Sequence, residues 1–205
     1  MTSPSLHAFG GFAAEHGAGA DPVEQGARPD LAEAELVARA RVSPDAFAAL
    51  YRRHYPAIAR YVRRRVGDEH VAADLTAEAF LIALERLSRY RERGLPFRSW
   101  LYRLASRRVN RWVRRRRLEP ASADLSSRAA RPGPSEDPSE LARRALLALP
   151  PRYQSALTLH YLEGLSVAEV ARVLLSRPGT IKARLARGRE RLRRALEPHA
   201  RELLR

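Results

Sequence analysis

No cysteine occurs in the 205 residues, methionine appears once, and among 38 basic residues there is a single lysine, Lys182. Without thiols the chain can form no disulfide, no thiol nucleophile and no cysteine-based zinc site, and a reducing cytoplasm is the compartment that fits. Long apolar runs are missing as well: nothing approaches the ~18 to 20 consecutive apolar residues of a membrane span. The first 30 residues lack a basic start followed by an apolar stretch, so they do not read as a secretory signal. These absences predict a soluble, cytoplasmic protein with no membrane insertion.

What abounds is positive charge. The 38 basic residues against 23 acidic ones give a formal net charge of +15, while hydrophobic residues still make up 45% of the chain. A polyanion is therefore the first partner to consider. The preference for arginine over lysine fits a GC-rich coding bias, so the arginine count carries no chemistry by itself. The length accommodates one domain with a full core, or two small modules of roughly 70 residues each joined by a linker.

Residues 1–30 hold five glycines, three prolines, one arginine and four acids with no apolar period. Such a segment cannot offset its own ordering entropy, and a disordered tail is expected. A second break covers residues 118–138, where four prolines, four serines and one glycine directly follow an arginine run. Apolar residues recur at three and four in the blocks 31–117 and 139–205, and nothing there shows the two-residue alternation of a half-buried strand. The expected fold is all-α: two small helical domains joined by a flexible linker.

In the first block Ser43 and Pro44 open a helix whose inner face is Phe47, Leu50, Tyr51, His54, Tyr55, Ile58, Tyr61 and Val62. Pro56 is expected to kink or split it by removing the bond to Arg52. A further helix follows Gly67 with Asp68 as its cap. It carries Val71, Leu75, Ala79 and Ile82 on one face and Phe80, Leu84 and Leu87 on another, a stripe wide enough to be central. After Arg93-Gly94-Leu95-Pro96 comes a helix from Phe97 to about Arg117, with Phe97, Leu101, Leu104, Ala105 and Trp112 inward.

The second block reads as four helices over 139–149, 151–162, 166–175 and 178–196. Ser166 and Glu169 form a capping box, and Val167, Val170, Ala171 and Leu174 follow the i, i+3, i+4, i+7 pattern. A tight turn then leads into a basic helix with Ile181, Leu185, Gly188, Leu192 and Leu196 on its inner side. Short helix, turn and long basic helix make a helix-turn-helix. Its N-terminal half offers Arg177, Thr180, Lys182, Ala183, Arg184 and Arg187 to base edges and phosphates. The competing reading is a solvated basic helix on a structural bundle.

Two further faces stand out. On the helix starting at Phe97, Arg103, Arg107, Asn110, Arg111 and Arg114 share one stripe, and no acid occurs between Pro96 and Arg117. Near its start lie Tyr90, Phe97, Trp100 and Tyr102, rings beside an arginine track, as single-stranded nucleic acid requires. For any one ring, core packing is the simpler reading. On the helix after Gly67, Asp74, Glu78, Leu81 and Glu85 fall on one face, where acids four apart repel by ~0.2 to 0.5 kcal/mol per pair. That face suits a basic partner protein, and a plain solvated face fits the spacing equally.

Catalysis finds little support. Asp74 and Glu78 could hold Mg²⁺, and His54, His70 and His160 could act as bases, yet there is no second carboxylate pair, phosphate-binding loop or nucleophile motif. No catalytic residue, metal or cofactor is expected.

Taken together, DAFAALYRRHYPAIARYVRRRVGD, AADLTAEAFLIALERL and PFRSWLYRLASRRVNRWVRRRR resemble region 2 of bacterial RNA polymerase sigma factors of the extracytoplasmic-function (ECF) type. LLALPPRYQSALTLHYLEGLSVAEVARVL followed by GTIKARLARGRERLRRAL resembles region 4 of the same sigma-70 family. The resemblance implies a transcription initiation factor that binds core RNA polymerase and directs it to promoter DNA, both duplex and melted. It implies that Asp74, Leu75, Glu78, Phe80 and Leu81 dock on the polymerase clamp. Tyr90, Trp100, Arg103, Arg107, Asn110, Arg111 and Arg114 would capture the melted non-template strand of the minus-ten element. Arg177, Thr180, Lys182, Ala183, Arg184 and Arg187 would read the minus-thirty-five duplex, and residues 118–138 would thread through polymerase. An anti-sigma protein is a further partner common in the family, though no residue identifies one.

Three residues depart from the family pattern. Arg107 stands where asparagine is usual, so the minus-ten base preference does not transfer. Leu175 replaces the usual glycine of the turn and Arg177 the usual serine cap, so Ser176 caps one residue early or the turn differs. The alternatives are a stand-alone helix-turn-helix regulator using residues 151–196 and a metal-dependent nucleic-acid enzyme.

Overall fold

The computed structural model describes residues 31–92, 94–118 and 138–199; the tail expected over 1–30 and nearly all of the linker expected over 118–138 lie outside them. All regular structure among the described residues is helical. A nine-residue helix that the sequence reading did not anticipate, α1 (Leu31–Arg39), comes first. Val37 and Ala40 are buried in the first block's core. The Glu33 carboxylate lies 3.5 Å from Nε2 of His54, and that imidazole, ahead of the nearby arginines, holds the carboxyl below its usual pKa.

Helix α2 (Pro44–Val66) is capped as expected by Ser43, whose side chain accepts from the Ala46 amide, and it ends at Gly67 with φ 77°. Pro56 does not split it. Arg52 and Pro56 both sit on the exposed side, where water can satisfy the released carbonyl, while Leu50, His54, Ile58, Tyr61 and Val62 bury the opposite side on both flanks of the proline. Packing therefore carries the helix through the lost bond.

Asp68 caps α3 (Glu69–Arg86), accepting from the Val71 amide. Leu75, Ala79, Phe80, Ala83 and Leu87 are buried, but Leu84, expected inward, is 48% exposed. Its neighbour Leu81 is 57% exposed, so the apolar stripe of α3 extends past the core onto the surface. A single 3₁₀ turn, Leu87–Arg89, leads toward α4 (Phe97–Leu118). Phe97, Leu101, Tyr102, Leu104, Ala105 and Val109 are buried along it, and Trp112 is half-buried at the rim.

The second block comprises α5 (Pro138–Ala148), α6 (Pro151–Leu157) with its π-helical continuation Thr158–Leu162, α7 (Val167–Val173) and α8 (Pro178–Leu196). Both halves of the Ser166/Glu169 capping box form. Gly188 lies where α8 crosses α6: a Cβ there would stand 3.1 Å from Cδ1 of Leu157 and 3.4 Å from Cβ of Tyr153. Any added side chain would require Leu157 to give way by a few tenths of an ångström.

The two blocks do not stand apart. Helix α4 packs against α6 and α7, and α2 against α5 and the π turn. The buried apolar residues of both blocks form one continuous core.

Candidate nucleic-acid interface

The arginine track and the rings near its start are brought together only in part. Tyr90, Trp100 and Arg103 line one open groove of about 640 Å³, together with Ser88, Arg89, Arg91 and Leu95. Tyr90 is buried and its hydroxyl donates to the Leu95 carbonyl at 2.8 Å; burial raises its pKa. Trp100 is half-buried, with its ring 4.7 Å from that of Tyr90 and 5.6 Å from that of Phe97. Tyr90 and Phe97 thus form a floor, and Trp100 is the ring at the surface. Tyr102, fully buried, faces the second block instead.

Further along α4, Arg107, Arg111 and Arg114 are exposed and Asn110 is half-buried. Asn110 and Arg114 line a second cleft of about 520 Å³ whose far side is Arg152, Ser155, Leu174 and Arg184. Burial, and then the neighbouring Arg107 charge, depress the pKa of Arg103. This is a face on which cations crowd each other. One arginine of the helix is neutralised across the bundle: Nε of Arg108 donates to Glu78 Oε2 at 2.6 Å, and its terminal NH2 nitrogen pairs with the same oxygen.

That ion pair corrects the expected unpaired acidic face. Glu78 is half-buried against Arg108, whereas Asp74 and Glu85 are exposed beside Leu81 and Leu84. Leu75 (7% exposed) and Phe80 (3%) belong to the core. Of the five residues expected to dock on polymerase, Asp74 and Leu81 are exposed, Glu78 is half-buried, and Leu75 and Phe80 are buried.

On α8, Arg177, Thr180, Lys182 and Arg187 are exposed, while Ala183 and Arg184 are half-buried. Arg177 occupies the cap position with no side-chain hydrogen bond. Ser176 does not cap one residue early; its hydroxyl donates to the Leu174 carbonyl and accepts from Arg184. Leu175 takes φ 50°. The turn therefore adopts the left-handed conformation for which glycine is the usual residue, at the strain that a leucine brings. Of the three histidines, His54 is buried, His160 is bonded through Nδ1 to the Leu165 carbonyl, and His70 is exposed. No group of three or more potential metal ligands occurs among the described residues.

The model of sigma-70 region 2 matches residues 50–119, and that of region 4 of the same family matches residues 139–192. The ECF RNA polymerase sigma factor BldN of Streptomyces coelicolor is 38% identical over 176 residues, covering 82% of this chain and 67% of BldN. The chain belongs to the ECF sigma factors of the sigma-70 family. Among solved structures, CnrH in complex with the cytosolic domain of CnrY shares the fold, at 24% identity and a TM-score of 0.63 over 82% of this chain and 98% of CnrH. So does the sigma factor RpoE in complex with the anti-sigma factor NepR from Bartonella quintana, at 20% identity and a TM-score of 0.56, over 74% and 96% of the two chains.

Sigma factors bind core RNA polymerase and direct it to promoter DNA, and promoter-directed transcription initiation is the function of this chain. They are initiation factors and not enzymes. In this sigma factor, region 2 corresponds to the α2–α4 bundle and region 4 to α5–α8. No helix among the described residues is long and apolar enough to cross a membrane.

The sequence reading missed the residues that join the regions. Glu163 is buried, with its side chain bonded to Arg60, Arg64 and Tyr102 of region 2 at 3.4, 2.9 and 2.9 Å. Burial, and then the Glu163 charge, push the Tyr102 hydroxyl up to about 12. Local periodicity carries no signal for contacts 61 to 103 residues apart. The only hint in the sequence was an acid just after an apolar helix, in a chain poor in acids.

Proposed function

We propose that this sigma factor docks on core polymerase through the outer ridge of α3, captures the melted minus-ten strand along α4 and reads the minus-thirty-five duplex with the first half of α8. The observation that carries the reading is an acid-and-leucine ridge, Asp74, Leu81, Leu84 and Glu85, on the same chain as two basic surfaces. A stand-alone helix-turn-helix regulator needs only the second basic surface. The ridge joins apolar area to negative charge, which fits a partner surface with basic residues around an apolar centre.

In the groove beside α4, Trp100 over the Tyr90–Phe97 floor offers a stacking platform for an unpaired base. Arg103, Arg107, Arg111 and Arg114 neutralise the strand's phosphates, with Asn110 available to a base edge once it is uncovered. Strand capture drives opening, with no chemistry by the factor itself. On the duplex, Arg177, Lys182 and Arg187 contact phosphates, and Thr180, Ala183 and Arg184 face the major groove. The 118–138 segment threads through polymerase between the two elements. The protein works in the cytoplasm, where polymerase is, and an anti-sigma protein is a further partner, as NepR is for its sigma factor.

Co-purification with core RNA polymerase tests the docking ridge. The Asp74→Lys/Glu85→Lys double variant changes two exposed acids and spares the Glu78–Arg108 pair, so its fold stays intact. It should lose at least roughly tenfold in core affinity, as reversed charges at an electrostatically matched interface do. Core binding equal to wild type would contradict the assignment.

A further inference from the structure

The rings of the Trp100 groove are held from a part of the chain that the family match leaves out. Helix α1 and the turn after it lie ahead of residues 50–119, the segment matching region 2, yet a side chain from each reaches the floor under Trp100. The first tie is Arg41. Tyr90 follows the 3₁₀ turn, where its amide bonds back to the Arg86 and Leu87 carbonyls and its hydroxyl to the Leu95 carbonyl. Its own carbonyl accepts from Arg91 and from the Arg41 guanidinium, each at 3.0 Å. Arg91 is the next residue and cannot anchor the loop to anything beyond itself. Arg41 can, because its turn is closed onto α1: the Val42 and Ser43 amides both bond to the Arg39 carbonyl.

The second tie runs through a histidine. His54 of α2 is buried, and its ring lies 5.4 Å from that of Phe97. Its Nε2 makes no hydrogen bond among the described residues and stands 3.5 Å from Oε2 of Glu33 on α1. A buried ring nitrogen facing only apolar groups would be costly, and the carboxylate offsets that cost. Arg53 approaches the same oxygen at 3.7 Å, and the charge of Arg98, in the first turn of α4, acts on Glu33 as well. Glu33 thus sets His54 against Phe97, which in turn lies 5.6 Å from both Tyr90 and Trp100.

The two ties converge on the two rings of one floor. A stacking surface works only if the residues beneath it are fixed, since a ring that can tilt gives up its contact with the base. We infer that Glu33 and Arg41 are positioning residues for promoter melting: Arg41 through the Tyr90 carbonyl, and Glu33 through His54 and Phe97, hold the floor on which Trp100 stacks an unpaired base. This rests on the function proposed above for α4 and adds residues outside the region 2 match to it.

The test uses the full chain with Trp112→Phe as background, which leaves Trp100 as the only tryptophan. Arg41→Ala, Glu33→Ala and Arg41→Lys are compared for Trp100 emission in the free protein, affinity for core RNA polymerase, and permanganate oxidation of unpaired thymines. The DNA is a fragment carrying a start site that wild type and core polymerase define. Both alanine variants should shift Trp100 emission to the red and lower melting at least about fivefold, within what stacking one base on a ring contributes. Core affinity should be unchanged, because the α3 ridge is untouched, and Arg41→Lys should recover most of the melting because it keeps a donor for the carbonyl.

Wild-type emission and melting in both alanine variants overturn the inference, and so does shifted emission with wild-type melting. A melting loss matched by an equal loss of core affinity, or one that Arg41→Lys does not relieve, reduces the two residues to general support of the fold and overturns it too. Failure of the underlying reading looks different: wild type with core polymerase then starts no transcripts at all, while the emission shifts persist.

Discussion

Leu175 shows what a single backbone angle does in this protein. At φ 50° it occupies the left-handed region that costs a non-glycine residue roughly 1 to 2 kcal/mol, and with 62% of its surface exposed it recovers little of that by packing. Leu175→Gly should therefore stabilise the chain by about 0.5 to 1 kcal/mol, seen as a rise of a few degrees in melting temperature. A fall instead would mean that the leucine side chain contributes contacts worth more than the strain. The departure from the family pattern was legible in the sequence, but its consequence was not, because either a shifted cap or a strained turn could follow from the same letters. Glu78 carries a similar lesson. Its spacing from Asp74 on one helix is visible in the chain, whereas its partner Arg108 stands on another helix 30 residues on, and no local pattern pairs them.

At the scale of the helix, what could be read was what depends on near neighbours. Ser43, Asp68 and Ser166 cap where expected, because a cap is decided within four residues. The reading failed where tertiary packing overrode local preference: Pro56 lies inside an unbroken α2, and α1 is too short to announce itself before Val37 and Ala40 find the core. Gly188 was read as part of an inner face, and the structure adds the reason. It lets α8 approach α6 so closely that Leu157 and Tyr153 would meet any added side chain. Gly188→Val should cost about 1 to 3 kcal/mol through overpacking against Leu157 and Tyr153, only partly offset by valine's better helix propensity, measured by urea denaturation. A neutral result would show that the Leu157 side chain yields to the added methyls and that the close approach of α6 and α8 does not depend on glycine.

Across the whole molecule, two modules that could be recognised separately are packed on one core, and the buried Glu163 network joins them. Their all-α character and their order were visible in the chain, and so were the basic tracks on α4 and α8. Their mutual contact was not, since it depends on which surfaces meet and not on any period along the chain. The account predicts that the two basic surfaces act together on polymerase-bound promoter DNA, with the α3 ridge making the attachment. Reconstituting the protein with core RNA polymerase and mapping run-off transcripts on fragmented DNA of the source genome tests this most directly. Discrete start sites that require both this protein and core polymerase are the predicted result. Binding of duplex DNA with a steep salt dependence, but no association with core polymerase and no discrete transcripts, would contradict it and leave a helix-turn-helix regulator in its place.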